Sequence, residues 1–116
     1  MRYYPRTAVG IEMTPEIAES LQVSEEYEAW TEEESVDNAD ALMGKIEEVY
    51  DVSVYNFLTL EEKRGGEIQG LTGFNSGCTY LLFEPEVRSS SGWRRIRSRV
   101  KKAGGSVDKG SWSQLG

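Results

Sequence analysis

Six cations fall within nine residues: Arg94, Arg95, Arg97, Arg99, Lys101 and Lys102, with Trp93 directly before them. Guanidinium and ammonium groups at this density bind phosphate oxygens, and an adjacent indole offers a face on which a base can stack. The segment is a candidate site for a nucleic acid or an anionic nucleotide. The opposite charge gathers upstream. Glu25, Glu26, Glu28, Glu32, Glu33, Glu34, Asp37 and Asp40 lie close together, with Tyr27 and Trp30 among them. Such an array can imitate a phosphate backbone and dock on the basic surface of another protein, with the two aromatics as anchors. Each run also has a plainer reading. A basic helix can pair with the chain's own acids, and acidic runs commonly serve solubility.

Other chemistries lack their parts. The chain has no histidine, which removes the commonest general base and the commonest transition-metal ligand. Its one cysteine, Cys78, allows no intrachain disulfide and has no imidazole to activate it. Cys78 is expected as a small apolar residue in a buried strand. Gly104–Ser111 superficially looks like a phosphate loop, but it ends Lys-Gly-Ser and follows a helix instead of opening one. Asp37-Asn38-Ala39-Asp40 places Ala and Leu where a calcium loop needs an oxygen ligand and a glycine. No catalytic residue, metal or cofactor is assigned, and a non-enzyme is expected.

The charge is divided along the chain. Residues 11–60 hold fourteen acids against Lys45 alone, whereas residues 61–116 hold ten bases and six acids, within a net charge of −7. Hydrophobic residues are 38% of the 116, enough for one modest core. The longest apolar run, Tyr80–Phe83, is far short of a membrane span. No apolar stretch follows Arg2 and Arg6, so no secretory leader is expected, and a cytoplasmic location is the default.

The elements that must position these residues follow from periodicity and caps. Thr7–Met13 alternates as a half-buried strand. Thr14-Pro15-Glu16 opens a short helix, and Ser24-Glu25-Glu26 opens a second, strongly acidic one over 25–34. Residues 38–50 form the clearest helix, with Leu42, Ile46, Val49 and Tyr50 on one arc. Val52–Leu60 is apolar on both faces and suggests a central strand. Lys63–Gly66 and Asn75–Gly77 read as turns around a weak strand, Glu67–Phe74. Cys78–Phe83 is a strand ended by Pro85. Residues 92–103 form the basic helix, with Trp93, Ile96 and Val100 as its apolar stripe and Gly104-Gly105 as its stop.

The whole is expected to be one α+β domain over residues 1–103, with 104–116 a Gly/Ser-rich tail or an edge strand. An antiparallel sheet of four to five strands would pack with two main helices, the short acidic helices following the first strand. A ferredoxin-like βαββαβ variant is one candidate plan. The leading functional expectation is a regulatory protein-binding module, inhibitor-like and of phage type, acting in the host cytoplasm through its acidic surface on a basic partner protein. The alternatives are nucleic-acid or nucleotide binding through the Arg-rich helix, and a homo-oligomeric or virion subunit joined by acidic-to-basic contacts.

Overall fold

The computed structural model describes residues 3–59 and 77–115, the strand residues 3–6 and 111–115 by their backbone alone. The expected turn at Lys63–Gly66 and the weak strand Glu67–Phe74 lie outside the described residues.

Among the described residues, four strands form one sheet: β1 (Tyr3–Glu12), β2 (Asn56–Thr59), β3 (Thr79–Phe83) and β4 (Val107–Leu115). Their order is β2-β3-β1-β4, and every neighbouring pair is antiparallel. The described connections hold four helices: α1 (Pro15–Ser20), α2 (Ser24–Glu32), α3 (Val36–Tyr50) and α4 (Ser91–Lys102), with a 3-10 turn at Pro85–Ser89. This is the expected α+β class. With α1–α3 counted as one connection, the element order is consistent with the βαββαβ candidate.

Local chemistry sets the helix ends. The Thr14 hydroxyl accepts from the Ile17 N–H at 3.2 Å, and Pro15 occupies the first turn of α1. Ser35 caps α3 by accepting from Asn38 N–H at 3.1 Å, so α3 begins two residues earlier than its periodicity suggests. Ser24 differs from expectation. It enters α2 as its first residue, and the capping position falls to Val23, which has no side-chain cap. Ser90 caps α4 by accepting from Trp93 N–H at 3.2 Å and donates to the Val87 carbonyl at 2.6 Å. Past the end of α4, Gly104 takes φ +82°, the left-handed conformation that glycine adopts without strain.

Strand alternation divides the core. Val9, Ile11, Phe57, Leu81 and Phe83 share one cluster with Leu42, Ile46 and Tyr50 of α3 and with Trp93, Ile96 and Val100 of α4. Ala8, Tyr80 and Leu82 form a second cluster, against which Tyr55, Leu58 and Cys78 pack. Both faces of β3 are therefore buried, which explains its unbroken apolar run.

Two expectations are corrected here. Of the described residues 52–59, only Asn56–Thr59 is strand, and it pairs with β3. Its two-sided apolarity reflects Phe57 in one cluster and Leu58 beside the other. Cys78 is half-buried just before β3, not inside a buried strand. In the C-terminal segment, Val107–Leu115 forms a strand that pairs with β1 from Ile11 back to Tyr3.

Candidate functional site

The apolar stripe of α4 decides where its cations point. Trp93, Ile96 and Val100 are buried against the sheet. At about 100° per residue, Arg94, Arg97 and Lys101 then share one flank of the helix, and Arg95, Arg99 and Lys102 share the other. The cluster that looks continuous in sequence is thus two half-sites with different surroundings.

Arg95 and Arg99 are committed internally. Arg95 donates to the Val49 carbonyl, and Arg99 donates to the Tyr50 hydroxyl at 3.0 Å. Both guanidinium groups also sit over the Tyr50 ring, at 4.9 and 5.6 Å from its centroid. The last turn of α3 has no basic residue of its own. Two cations from α4 therefore meet the negative end of the α3 dipole. Tyr50 passes the connection on, donating to the Leu21 carbonyl at 2.8 Å, while the Ser20 hydroxyl donates to the Arg99 carbonyl at 2.7 Å. These bonds fasten α1, α3 and α4 together. Lys102 is exposed and lies outside both arrangements.

The other flank borders a groove of about 650 Å³. Its floor and walls include Val9 of β1, Trp93, Arg94, Arg97, Ser98 and Lys101 of α4, and Val107 of β4. Arg88 from the 3-10 turn and Lys109 from β4 add two cations that sequence reading did not single out. Among the described residues, five cations line the groove and no carboxylate does. Lys109 joins because it pairs in register with Val9 and lies two residues from Val107, so strand alternation places all three on the helix side of the sheet. Asp108, between them, falls on the opposite face by the same alternation.

The aromatic expected to stack a base does something else. Trp93 is 4% exposed and meets Phe83 edge-on, with centroids 5.2 Å apart and planes at 66°. Its exposed area is too small for stacking, so it serves as core beneath the groove.

The acidic surface is placed at the other end of the sheet order. Glu25, Glu28, Glu32, Glu33, Glu34, Asp37 and Asp40 are exposed, and Glu26 is half-buried. The expected anchors face inward. Trp30 is 7% exposed and meets Phe57 of β2 at 4.8 Å and 64°. Tyr27 is half-buried, lies 6.2 Å from the Trp30 ring, and reaches the Met13 carbonyl at 3.5 Å. Burial, then the nearby charge of Glu16, raises the Tyr27 phenol above its usual range. The apolar residue left at this surface is Val36, 76% exposed at the start of α3.

A second groove of about 460 Å³ lies between residues 51–55 and 84–90 and carries Asp51, Glu84 and Glu86. Nearby, Glu47 accepts the Val54 N–H at 2.9 Å and fastens the strand entry to α3. Among the described residues, no three histidine, cysteine or acidic side chains gather to hold a metal ion. Cys78 carries a raised thiol pKa, chiefly from its hydrogen bond to Glu12, then burial and the Glu12 charge. That keeps it a protonated, weakly nucleophilic thiol at neutral pH. No helix among the described residues is long and apolar enough to cross a membrane. Comparison with protein-family models, curated proteins and solved structures gives no match.

Proposed function

We propose that this chain is a non-enzymatic binding module that holds a phosphate-bearing anion, a nucleic acid or nucleotide, in the groove between α4 and β4. The observation that supports this reading is the meeting of Arg88, Arg94, Arg97, Lys101 and Lys109 from three elements around one concavity, without a lining carboxylate among the described residues. Arg88 donates its Nε–H to the Pro85 carbonyl at 3.3 Å and keeps its charge uncompensated there. Cations gathered in this way attract an external anion. The net charge of −7 does not cancel this attraction. The acids of α2 lie toward β2, three strand positions from β4. That separation is about 14 Å at the usual strand spacing, beyond a Debye length of about 8 Å at physiological salt.

The test is fluorescence anisotropy with labelled mixed-sequence DNA and RNA at about 50 mM salt. Binding that weakens when Arg94 and Arg97 become glutamine supports the reading. Equal binding by that variant defeats it.

A second reading keeps the acidic surface as a docking site for a basic protein. Exposed Val36, flanked by Glu33, Glu34 and Asp37, supplies an apolar contact among carboxylates. A pull-down comparing wild type with charge reversal at Glu25, Glu32 and Glu33 tests it. Loss of a partner supports the surface, and full retention rejects it.

A further inference from the structure

We infer that the groove takes the phosphate backbone of a double-stranded nucleic acid and reads no base; this rests on the anion-binding reading above. Three features of the groove carry the inference.

The first is the row of cations on α4. Arg94, Arg97 and Lys101 lie along one flank, and seven residues of helix span about 10 Å. One strand of a duplex places a phosphate about every 3.4 Å along its axis. The row therefore runs along about three phosphate intervals of one strand, so its three cations can meet separate phosphates. A single free phosphate fills only part of it. The second feature is the presence of cations from two other elements beside that row, Lys109 on β4 and Arg88 in the 3-10 turn before α4. Five charges spread over three elements suit an extended, stiff polyanion whose phosphates are already spaced.

The third feature is that the described lining offers no stacking surface. Single-stranded binders combine a cationic groove with exposed aromatic faces. Among the described residues, the aromatic lining this groove is Trp93, which is 4% exposed and held edge-on by Phe83. The remaining described lining is Ser98, Val9, Val107 and the five cations. Nothing there has the planar acceptor and donor pair of Asn or Gln that reads an adenine edge. Arg can read guanine, and the comparison of two duplexes of different sequence tests whether these arginines do. Contact with backbone alone gives affinity that depends on salt and not on sequence.

The experiment measures affinity against salt for a mixed-sequence 20-base-pair duplex, a shuffled duplex, one of the strands alone, and inorganic tripolyphosphate as competitor. Five neutralised phosphates predict a slope of log K against log salt of about −4.5 for the duplex and about −3.5 for the single strand. At about 0.1 M salt that difference alone favours the duplex about tenfold. The two duplexes should bind within about twofold of each other. Arg94→Gln/Arg97→Gln/Lys101→Gln should reduce the duplex slope to about −1.8, with thermal stability retained because these three side chains are exposed. Arg95→Gln, on the internal flank, should lower thermal stability and leave the slope unchanged.

A single strand that binds as tightly as the duplex overturns the assignment to duplex. So does a difference above tenfold between the two duplexes, or tripolyphosphate competing as well per phosphate as the duplex. In each of those cases the groove still binds an anion. Absence of binding by duplex, single strand and tripolyphosphate alike at 50 mM salt overturns the anion-binding reading itself. An unchanged slope in the triple variant moves the site elsewhere and overturns both.

Discussion

Replacing Gly92 with alanine tests the joint between α3 and α4 on which the groove depends. Gly92 is the second residue of α4 and is buried against the end of α3. A Cβ built there collides with the Tyr50 carbonyl oxygen and comes within 2.9 Å of both the Tyr50 carbonyl carbon and Val52 Cγ1. The carbonyl is backbone and cannot rotate aside, so α4 must lift away from α3. The Arg95 bond to Val49 and the Arg99 bond to Tyr50 stretch with it. Overpacking of this kind costs about 1–3 kcal/mol. Alanine returns up to about 1 kcal/mol as a better helix former. With rigid backbone as the obstacle, the net loss should be about 2 kcal/mol. Unfolding entropy for 116 residues is about 0.24 kcal/mol/K, so the melting temperature should fall by about 8 °C. Circular dichroism on heating measures this at neutral pH. Gly44→Ala is the matched control. Gly44 lies in the interior of exposed α3 surface with nothing within 4 Å of its added Cβ. The same chemical change there should raise the melting temperature by about 2–4 °C. A Gly92→Ala protein that melts within about 2 °C of wild type, or above it, refutes the close approach of α4 to the Tyr50 carbonyl.

Tyr50→Phe removes the donor to the Leu21 carbonyl and the acceptor of Arg99, and should cost about 1–3 kcal/mol in chemical denaturation; an unchanged midpoint would mean that neither bond matters. Cys78 should react slowly with iodoacetamide at pH 8, and Glu12→Gln should speed that reaction by releasing the thiol from the carboxylate that raises its pKa. A slower or equal rate in the variant contradicts the assignment. Tyr27 has a phenol pKa raised in the folded state, so ionisation is easier in the unfolded chain. Its contribution is fully present below the ordinary tyrosine pKa of about 10 and is lost as pH rises through the raised value. Stability followed from pH 9 to 11 should fall less steeply in Tyr27→Phe than in wild type, and identical slopes would count against the shift.

The chemical character of each element was legible in the chain because it is local. Thr14, Ser35 and Ser90 are capping residues, and each accepts the N–H three residues on. The 3.6-residue stripe Trp93, Ile96, Val100 and the two-residue alternation Val9, Ile11 are both buried as their periods require. Val107–Leu115 was ambiguous, because its Gly and Ser content is weak as strand and becomes ordered through pairing with β1. Val52–Tyr55 reads as strand but lies before β2, since apolar side chains signal burial without telling which element provides it. The same gap governs the site. Six cations in a row could be seen, but a sequence does not say which flank of a helix meets the end of another helix. Packing decided that. It turned Arg95 and Arg99 onto Tyr50 and Val49, sank Trp93 and Trp30 into the core, and brought Arg88 and Lys109 from other elements to Arg94, Arg97 and Lys101. Composition and period by themselves determined an α+β chain with acidic and basic halves. Tertiary structure alone decided that Arg95 and Arg99 turn inward while Arg94, Arg97 and Lys101 line a groove, because contacts between distant residues are fixed by shape and burial and leave no local mark.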